Sequence, residues 1–314
     1  MVFIRFWKTV DQAMQQQNDL YPSRINDKDD IIWRTDPVLH PSDIHPAEHL
    51  TEDLLQHYQE KGYMLIPDLF NEKEVIAFIS ELERMKQDSA ILNSPQAITE
   101  MSSGDLRSVF QIHCNHPAFS PLFSKTARDS RITDVVRLIL GGDIYIHQSR
   151  LNFKPGFRGK EFYWHSDFET WHVEDGMPAM GALSCSILLT DNNAHNGALM
   201  LIPGSHREYI SCTGETPDNH YLSSLKKQEY GVPSDQSLSY LASKYGIDCA
   251  EAKAGSVLFF DCNVMHGSNS NITPCPRSNL FFAYNQINNR VGDPFCGKTP
   301  RPEYLCSRQT MTPI

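Results

Sequence analysis

Residues 143–154 read DIYIHQSRLNFK, a run in which apolar and polar side chains alternate. Alternation with a period of two is typical of a β-strand that buries one face. The pattern predicts that one face of this strand carries Ile144, Ile146, Gln148, Arg150 and Asn152. The face is apolar at its start but ends in Gln148, Arg150 and Asn152. These three side chains therefore either line a pocket or are buried at a cost in free energy.

The segments on either side of this strand indicate the fold class. Five further runs read as strands, namely FYWHSDF, ALSCSILLT, ALMLIP, SVLFFDC and SNLFFAYNQI. The first third instead shows helical patterns, with LTEDLLQHYQEKG ending at Gly62, a capping box from Asn71 to Glu74, and SRITDVVRLILG before two glycines. Short strands after a helical first third predict a β-sandwich or barrel with helices packed outside.

The N-terminal segment differs in composition from the rest of the chain. Residues 1–50 are polar and interrupted by prolines, as in DPVLHPSDIHP. We expect them to form an extended arm with little regular structure, anchored on the body by Tyr21 and Trp33. The start, MVFIRFWKTV, lacks the long apolar core of a signal peptide.

We expect the remainder, residues 51–314, to form a single domain. Its helical part covers about 51–141 and its strand-rich core about 142–290. A segment at about 205–250 reads as an insertion into this core, with a helix at SLSYLASKYG.

Composition excludes several classes of protein. The chain has 314 residues, with 28 Lys and Arg against 38 Asp and Glu, and a net charge of -10. An acidic chain without clustered basic residues is not suited to nucleic acids, and no run is long enough for a membrane span. The 8 cysteines form no C-x-x-C pair, which excludes a zinc ribbon and favours reduced thiols in the cytoplasm.

Three residues have the chemistry of a metal site. His165 and Asp167 are separated by one residue, so on an extended chain their side chains point the same way. His266 follows a hydrophobic strand much later in the chain. Two histidines and one carboxylate form the facial triad of non-haem Fe(II) oxygenases, which leaves coordination positions open. Each histidine also has a plainer interpretation as a surface or core residue, because His-x-Asp occurs often by chance.

Arg277 adds a second element to this hypothesis. It lies eleven residues after His266, at the start of the predicted strand RSNLFFAYNQI. A guanidinium group offers a planar fork to a carboxylate, as is needed to hold the distal carboxylate of 2-oxoglutarate. The alternative is a surface arginine that follows the loop NITPCPR.

Taken together, these motifs resemble one known family. The His-x-Asp pair, the distal histidine, PGSH at 203–206 and the following arginine are similar to the phytanoyl-CoA-dioxygenase-like family. Residues 162–178, FYWHSDFETWHVEDGMP, resemble the ectoine hydroxylases within that family, and so do DLYPSR, QSRLNFKPGF, FFDCNVMHGSNSNITP and SNLFFAYN. The resemblance covers about residues 19–290. It implies an α+β or mainly β fold with a double-stranded β-helix core, a cupin-like jelly roll, and helices packed outside.

The same resemblance implies a reaction and its cofactors. It implies an Fe(II)- and 2-oxoglutarate-dependent dioxygenase that hydroxylates ectoine to 5-hydroxyectoine, with release of succinate and CO2. The compatible solute that results protects cells against osmotic or heat stress. The implied cofactor is Fe(II), the co-substrates are 2-oxoglutarate and O2, and the small-molecule partner is ectoine.

Residue roles follow from the positions that match the family pattern. The resemblance implies iron ligation by His165, Asp167 and His266, and 2-oxoglutarate binding by Arg277 and Asn152. It implies substrate contacts from Gln148, Trp171, Phe260 and Phe281. Ectoine combines an amidinium ring with a carboxylate, and an amidinium stacks favourably on aromatic faces. Arg150 is a further candidate, as a partner for the substrate carboxylate.

The other charged residues of 162–178 are predicted to have supporting roles. We read Asp175 and Gly176 as a turn, and Glu174 as solvated. His172 is the rival metal ligand, but we predict a supporting or structural role for it and for His206. Gly181 lies where the family pattern has an arginine, a difference expected to affect a local salt bridge or turn.

Three alternatives to this function remain open. The nearest is a related dioxygenase that acts on another small zwitterion or amino acid. A zinc hydrolase could use the same three ligands but needs a general base, and no H-E-x-x-H helix is present. A non-catalytic barrel that binds a solute would need the aromatic residues but not the triad. The oligomeric state is also open, with a homodimer as one alternative.

Overall fold

Thirteen β-strands lie in the residues that the computed structural model describes, which are 19–44, 49–100, 103–225, 229–309 and 311–314. They are β1 Asp30–Trp33, β2 Tyr63–Ile66, β3 Ala97–Thr99, β4 Leu106–Phe110, β5 Ile144–Lys154, β6 Phe162–His165, β7 Ala182–Leu188, β8 Met200–Leu201, β9 Glu208–Ser211, β10 Asp248–Cys249, β11 Val257–Asp261, β12 His266–Ser268 and β13 Arg277–Gln286. Seven form the main sheet, in the order β2-β11-β7-β13-β5-β4-β3. Four form a smaller sheet, β10-β8-β12-β6, and β1 pairs with β9.

Eight α-helices accompany these strands in the described part of the chain. They are α1 Glu52–Lys61, α2 Glu72–Gln87, α3 Ser89–Leu92, α4 Pro121–Thr126, α5 Ser130–Leu140, α6 Asp167–Asp175, α7 Tyr221–Ser224 and α8 Asp235–Tyr245. The predicted end of α1 is confirmed, because Gly62 closes it with a left-handed φ of 80° that favours glycine. The capping box of Asn71 and Glu74 at the start of α2 is also confirmed. None of the described helices is long and apolar enough to cross a membrane.

The main sheet packs against different partners on its two faces. One face forms a core with α2 and α5, whose contributions include Phe78, Leu82 and Ile139. The other face meets the smaller sheet, where Leu201 of β8 clusters with Phe281 of β13. Burial of these apolar side chains on both faces is the main favourable contribution to folding. Two facing antiparallel sheets with helices outside confirm the predicted sandwich.

The first third of the chain contributes more strand than its helical pattern predicts. β2, which follows directly after Gly62, pairs with β11 at one edge of the main sheet. At the other edge, β4 pairs with β5 and β3 pairs with β4. These two short strands were not predicted.

A β-bulge changes the face to which β5 directs its side chains. The register with β13 shifts between Ala283 and Tyr284, so that His147 is an extra residue on β5. Before the bulge, Ile144 and Ile146 lie in the core with the helices, whereas Gln148 and Arg150 line a pocket on the opposite side. The prediction that all these residues share one face is therefore wrong.

The described part of the N-terminal arm is tied closely to the body. Tyr21 is fully buried, as predicted for an anchor, but Trp33 is 61% exposed and does not serve as one. Arg24 is buried and forms ion pairs of 2.7 Å with both Glu169 and Glu174 of α6. The expected extended arm thus contains a strand, β1, and a buried arginine. Residues 1–18 and 45–48 of the predicted arm lie outside the described residues.

The segment predicted as an insertion takes part in the sheets. Its strand β9 pairs with β1, and β10 pairs with β8 of the smaller sheet. The predicted helix at SLSYLASKYG corresponds to α8. All 8 cysteines are free, which confirms the prediction of unpaired thiols. The domain boundaries stay predictions.

Candidate metal centre and adjoining pocket

The three predicted metal ligands meet at the edge of the smaller sheet. His165 ends β6, His266 begins β12, and the two residues are direct partners in the antiparallel register. Asp167 is the first residue of α6, and its Oδ1 lies 3.8 Å from Nε2 of His165 and 3.9 Å from Nε2 of His266. Because one ligand atom from each residue lies within 4.8 Å of the others, a single metal ion can contact all three.

The backbone between His165 and Asp167 differs from the predicted strand. β6 stops at His165, Ser166 is extended with φ -103° and ψ 131°, and α6 begins at Asp167. The prediction of one strand through FYWHSDF is therefore wrong after His165. The side chains still converge, since only one extended residue separates them.

Backbone carbonyls fix the orientation of both histidine rings. Nδ1 of His165 lies 2.7 Å from the carbonyl oxygen of Tyr163, and Nδ1 of His266 lies 3.0 Å from that of Val264. A carbonyl oxygen only accepts, so each Nδ1 carries the proton and donates it. Each Nε2 therefore keeps a free lone pair, which is what a metal ligand requires.

The aspartate is oriented in the same way by a serine. Ser184 Oγ donates to Oδ2 of Asp167 at 3.0 Å, while Oδ1 faces the histidines. Burial by itself would raise the pKa of Asp167, but His266 and His165 lower it below its usual range. Burial and the neighbouring His266 lower the pKa of His165. One carboxylate oxygen and two imidazole Nε2 atoms that face it are a donor set that fits a divalent ion such as Fe(II).

A cavity of about 640 Å³ adjoins His165 and Asp167. Three of the predicted substrate contacts, Gln148, Arg150 and Trp171, line it. Its wall also includes Arg107, Phe110, Thr170, Glu174, His220 and Arg301. A volume of this size suits a small ligand.

The two predicted phenylalanines lie behind the pocket wall. Phe260 packs edge-on against His266, with ring centroids 5.0 Å apart. The guanidinium of Arg150 lies 4.9 Å from the ring centroid of Phe281. Neither phenylalanine lines the cavity of the described residues. The geometry therefore gives them contacts with the metal ligand and with the pocket arginine.

Arg277 is buried beside a second cation, Lys154. Nε of Arg277 donates to the carbonyl oxygen of Gly197 at 3.0 Å, and Nζ of Lys154 donates to Oγ of Ser268 at 2.8 Å and to the carbonyl oxygen of Asn269. Among the described residues, neither cation forms an ion pair with a carboxylate. Burial and mutual repulsion lower the pKa of Lys154 to about 6, while burial and nearby arginines lower that of Arg277 to about 10. An anion bound here would relieve both effects.

Position 197, which contacts both Arg277 and Lys154, requires a glycine. Its φ is 80°, and a Cβ atom on it would lie 2.8 Å from a carbon of Lys154 and 2.5 Å from the carbonyl oxygen of Asn269. A side chain at this position would therefore displace the backbone or the buried lysine.

Asn152 has spare hydrogen-bonding capacity next to this region. Its Nδ2 makes one long hydrogen bond of 3.5 Å to Oγ of Ser108, and its Oδ1 is buried with no partner among the described residues. Its register partner on β13, Asn279, likewise has an unsatisfied Oδ1. Buried amides are rarely left unsatisfied, so this pair is suited to a polar ligand.

Sequence reasoning missed Lys154, Ser184 and Arg301. Lys154 is the last residue of the strand that carries Asn152, and a lysine that continues the polar positions Gln148, Arg150 and Asn152 is the signal that could have identified it. Ser184 lies in the fully buried strand β7, and no sequence pattern distinguishes it from Ser186. Arg301 lies near the C-terminus, in a segment with no recognisable motif.

The remaining charged residues of 162–178 are buried in ion pairs. Glu174 was predicted to be solvated, but it is buried and accepts from Arg24 at 2.7 Å and from His220 at 2.9 Å. Asp175 is fully buried and pairs with Arg301. Its predicted turn is the end of α6, where Gly176 adopts a left-handed φ of 75°.

His172 and His206, which were predicted to have supporting roles, both make structural contacts. His172 is buried with Nδ1 2.7 Å from the carbonyl oxygen of Met177, Nε2 2.9 Å from Oδ1 of Asp19, and its ring stacked on Phe295. His206 is fully buried, and its Nε2 lies 3.2 Å from the carbonyl oxygen of Gln59. Neither belongs to the metal cluster of the described residues, in agreement with their predicted supporting roles.

Gly181 lies against a polar side chain. A Cβ atom at this position would lie 2.3 Å from Oε1 of Gln286 and 3.1 Å from Nδ2 of Asn289. The space that a larger residue would need is therefore filled by Gln286.

Two histidines and an aspartate on an antiparallel double sheet, beside a small pocket, are the arrangement found in non-haem Fe(II) oxygenases. A family model described as phytanoyl-CoA dioxygenase (PhyH) matches residues 58–279. An ectoine dioxygenase of Stutzerimonas stutzeri is 56% identical over 298 residues, which cover 95% of this chain and 97% of the relative. The chain belongs to the ectoine dioxygenases, within the phytanoyl-CoA dioxygenase family.

Solved structures support the same assignment. The crystal structure of EctD from S. alaskensis with 2-oxoglutarate and 5-hydroxyectoine has a TM-score of 0.82 and 45% identity, and the match covers 93% of this chain and 95% of that one. The EctD structure with bound Fe has a TM-score of 0.82 and 44% identity, and the match covers 94% and 97% of the two chains. The predicted jelly-roll fold with helices outside is thus confirmed.

Proposed function

We propose that this protein hydroxylates ectoine to 5-hydroxyectoine. The reaction consumes one molecule each of ectoine, 2-oxoglutarate and O2, and forms 5-hydroxyectoine, succinate and CO2. One oxygen atom of O2 enters the product and the other enters succinate, so atoms and electrons balance. The proposal rests on the family of the chain together with the geometry of its pocket.

His165, Asp167 and His266 would hold Fe(II). Their free Nε2 lone pairs and the Oδ1 carboxylate oxygen converge within the reach of one ion. When bound, Fe(II) supplies the activation of O2 that a C–H hydroxylation needs. The contribution of the protein is to orient both imidazoles through backbone carbonyl oxygens and to hold the aspartate through Ser184.

The buried cations Arg277 and Lys154 would bind the distal carboxylate of 2-oxoglutarate. They lie together without a carboxylate partner among the described residues, and a guanidinium with an ammonium neutralises a carboxylate well. Asn152, whose amide is half satisfied, would hydrogen-bond the same co-substrate. Their burial excludes water, which strengthens each of these charged contacts.

The pocket between these groups and solvent would receive ectoine. Trp171 offers a face for the amidinium ring, a contact of about 0.5–2 kcal/mol. Gln148 lines the same wall, although its Nε2 already donates to the carbonyl oxygen of Leu305 at 2.7 Å. Its amide oxygen therefore remains the group that can accept from the ring nitrogens. Arg150 and Arg301 line the pocket and would bind the carboxylate of the zwitterion.

One observation carries this proposal. The metal triad adjoins a pocket that contains Arg150, while Arg277 and Lys154 are buried nearby, and none of the three cations pairs with a carboxylate in the described residues. A buried charge without a partner is costly, so anionic ligands are expected at both places. A zinc hydrolase would leave Arg277 and Lys154 unexplained.

The test is a turnover assay with the purified protein, Fe(II), ascorbate, 2-oxoglutarate and ectoine. We expect one succinate for each ectoine consumed and a product heavier by one oxygen atom, which 18O2 labels. The same assay with other small zwitterions and amino acids tests the nearest alternative. Two results would refute ectoine as the substrate: consumption of 2-oxoglutarate without hydroxylation of ectoine, or preferred hydroxylation of another solute.

The cellular location and the oligomeric state of the protein stay predictions. Eight unpaired cysteines suit a reducing compartment, and we keep the cytoplasm as the predicted location. A homodimer stays the predicted alternative to a monomer, to be decided by light scattering.

A further inference from the structure

A buried polar cluster outside the metal centre joins the end of α6 to the C-terminal segment. Asp175, the last residue of α6, is fully buried and accepts from Nε and Nη2 of Arg301 at 2.8 and 2.5 Å. Burial by itself would raise the pKa of Asp175, but the Arg301 guanidinium outweighs burial and lowers it to about 2. The two side chains therefore form a two-point ion pair with a defined orientation.

His147 connects this ion pair to the aromatic wall of the pocket. It is the extra residue of the bulge in β5, and its Nε2 approaches Oδ2 of Asp175 to 3.5 Å. The His147 ring meets Trp171 edge to face, with centroids 4.9 Å apart. His147 is fully buried, so it supports Trp171 from the side away from the cavity.

The C-terminal segment is hydrogen-bonded to the same two residues. Nη2 of Arg308 donates to the backbone carbonyl oxygen of Asp175 at 2.5 Å, and the backbone N–H of Ser307 donates to that of His147 at 2.9 Å. The carbonyl oxygen of Leu305 accepts from Gln148. Arg301, which precedes these residues, lines the pocket, so the C-terminal segment forms part of the pocket wall.

The cluster also contains Cys306, and its side chains resemble a metal donor set. Ligand atoms of His147, Asp175 and Cys306 lie within 4.8 Å of one another. However, Arg301 already neutralises Asp175, and burial raises the pKa of the Cys306 thiol well above its usual value. A cation here would meet a guanidinium and a protonated thiol, so support of the pocket wall is the better explanation.

We propose that Asp175 is a positioning residue for the substrate. It holds Arg301 by two hydrogen bonds, and it lies 3.5 Å from Nε2 of His147, whose ring packs against Trp171. One buried carboxylate would thus set the two groups that bind the charge and the ring of ectoine. This inference rests on the proposed function. Arg277 and Lys154 are not part of the cluster, so the effect of Asp175 is on the substrate and not on 2-oxoglutarate.

The test uses Asp175→Asn in the full-length iron-loaded enzyme, with separate titrations of ectoine and 2-oxoglutarate. Because small misplacements of binding groups have large kinetic effects, we expect the KM for ectoine to rise about tenfold. The KM for 2-oxoglutarate and the iron content should stay within about twofold. A second variant, His147→Gln, keeps a polar side chain but removes the ring beside Trp171, and should raise the KM for ectoine about threefold.

Glu169→Gln is the matched control, because Glu169 is a buried carboxylate of the same helix that pairs with Arg24 and does not line the pocket. It should lower the melting temperature without changing the KM for ectoine. If Asp175→Asn does not fold, His147→Gln decides the question.

Four outcomes would overturn the inference. They are an unchanged KM for ectoine in the folded variants, an equal rise of both KM values, a rise of the same size in Glu169→Gln, or a second equivalent of metal in the wild type that Asp175→Asn loses. A wild-type enzyme that leaves ectoine unchanged would instead overturn the proposed function together with the inference.

Discussion

His165 and His266 are register partners on neighbouring antiparallel strands, and the centroids of their rings lie 4.3 Å apart. Residues far apart in sequence thus become neighbours through the pairing of β6 with β12. Strand pairing is a backbone property, so it does not depend on the imidazoles themselves. The metal site can therefore be altered without loss of the sheet that builds it.

Removal of one imidazole should abolish metal-dependent turnover. We expect His266→Ala to reduce bound iron and succinate formation to background, because two ligands remain of three. The variant should still unfold cooperatively, as measured by circular dichroism. His172→Ala is the contrasting variant, since His172 lies outside the metal cluster of the described residues and should retain iron when folded. Full iron content in His266→Ala would contradict the ligand assignment.

Ser184 should tune iron affinity through Asp167. Loss of the 3.0 Å hydrogen bond in Ser184→Ala frees the carboxylate to rotate, and we expect iron affinity to fall about 10–100-fold. Ser186→Ala is the matched control, because Ser186 lies two residues further along β7 and accepts from Asn279 instead. Iron titration of the apo-protein measures both. Equal losses in the two variants would show that the effect is general to β7.

Arg277 should determine the requirement for 2-oxoglutarate. Truncation of a buried charged partner costs about 2–5 kcal/mol, so Arg277→Ala should raise the KM for 2-oxoglutarate by about 30-fold or more. Lys154→Met should raise the same constant by a smaller factor, because its Nζ is also engaged by Ser268 and Asn269. Separate titrations of both substrates measure these effects. An unchanged KM in Arg277→Ala would remove Arg277 from the co-substrate site.

The parts of the site that were predictable are those with a local signal. His165 and Asp167 are close in sequence. His266 follows one hydrophobic run that predicts a strand, and Arg277 begins another. The end of α1 and the start of α2 follow from Gly62 and a capping box. These features depend on a few neighbouring residues, which a single sequence contains.

The predictions that were wrong concern features that depend on residues far apart in sequence. The extra residue His147 in β5 is defined only by the register with β13, so strand alternation alone assigned Ile144 and Ile146 to the wrong face. Glu174 is buried because Arg24 pairs with it, across more than a hundred residues of sequence. A charged residue looks solvated until its partner is known.

Gly181 should accept a small side chain when the side chain of Gln286 moves away. The added Cβ of Gly181→Ala would lie 2.3 Å from Oε1 of Gln286, the end of a flexible side chain, so we expect its displacement to cost about 1 kcal/mol of unfolding free energy. In a Gln286→Ala background the cost should largely disappear, since the colliding atom is gone. Urea unfolding of the two single variants and the double variant measures this coupling. An undiminished cost in the double variant would place the strain elsewhere.

Glu174 should make the free energy of unfolding depend on pH in the acidic range. Burial by itself would raise its pKa, but His220 and Arg24 outweigh burial and lower it to about 2. The glutamate of an unfolded chain has a pKa of about 4.3, so the shift corresponds to about 3 kcal/mol of stability. Because the folded pKa is the lower one, this stability is complete above about pH 5 and is lost as the pH falls toward 2.

The measurement compares wild type and Glu174→Gln by urea unfolding from pH 7 down to pH 3. We expect the variant to be less stable at pH 7 and the difference to shrink as the pH falls, because protonation removes the same charge from the wild type. Glu83→Gln is the control, since its carboxylate lies in an exposed pair with Lys86 and should change stability by less than about 0.5 kcal/mol. A stability difference in Glu174→Gln that stays constant over this range would show that its ion pairs do not control the acid response.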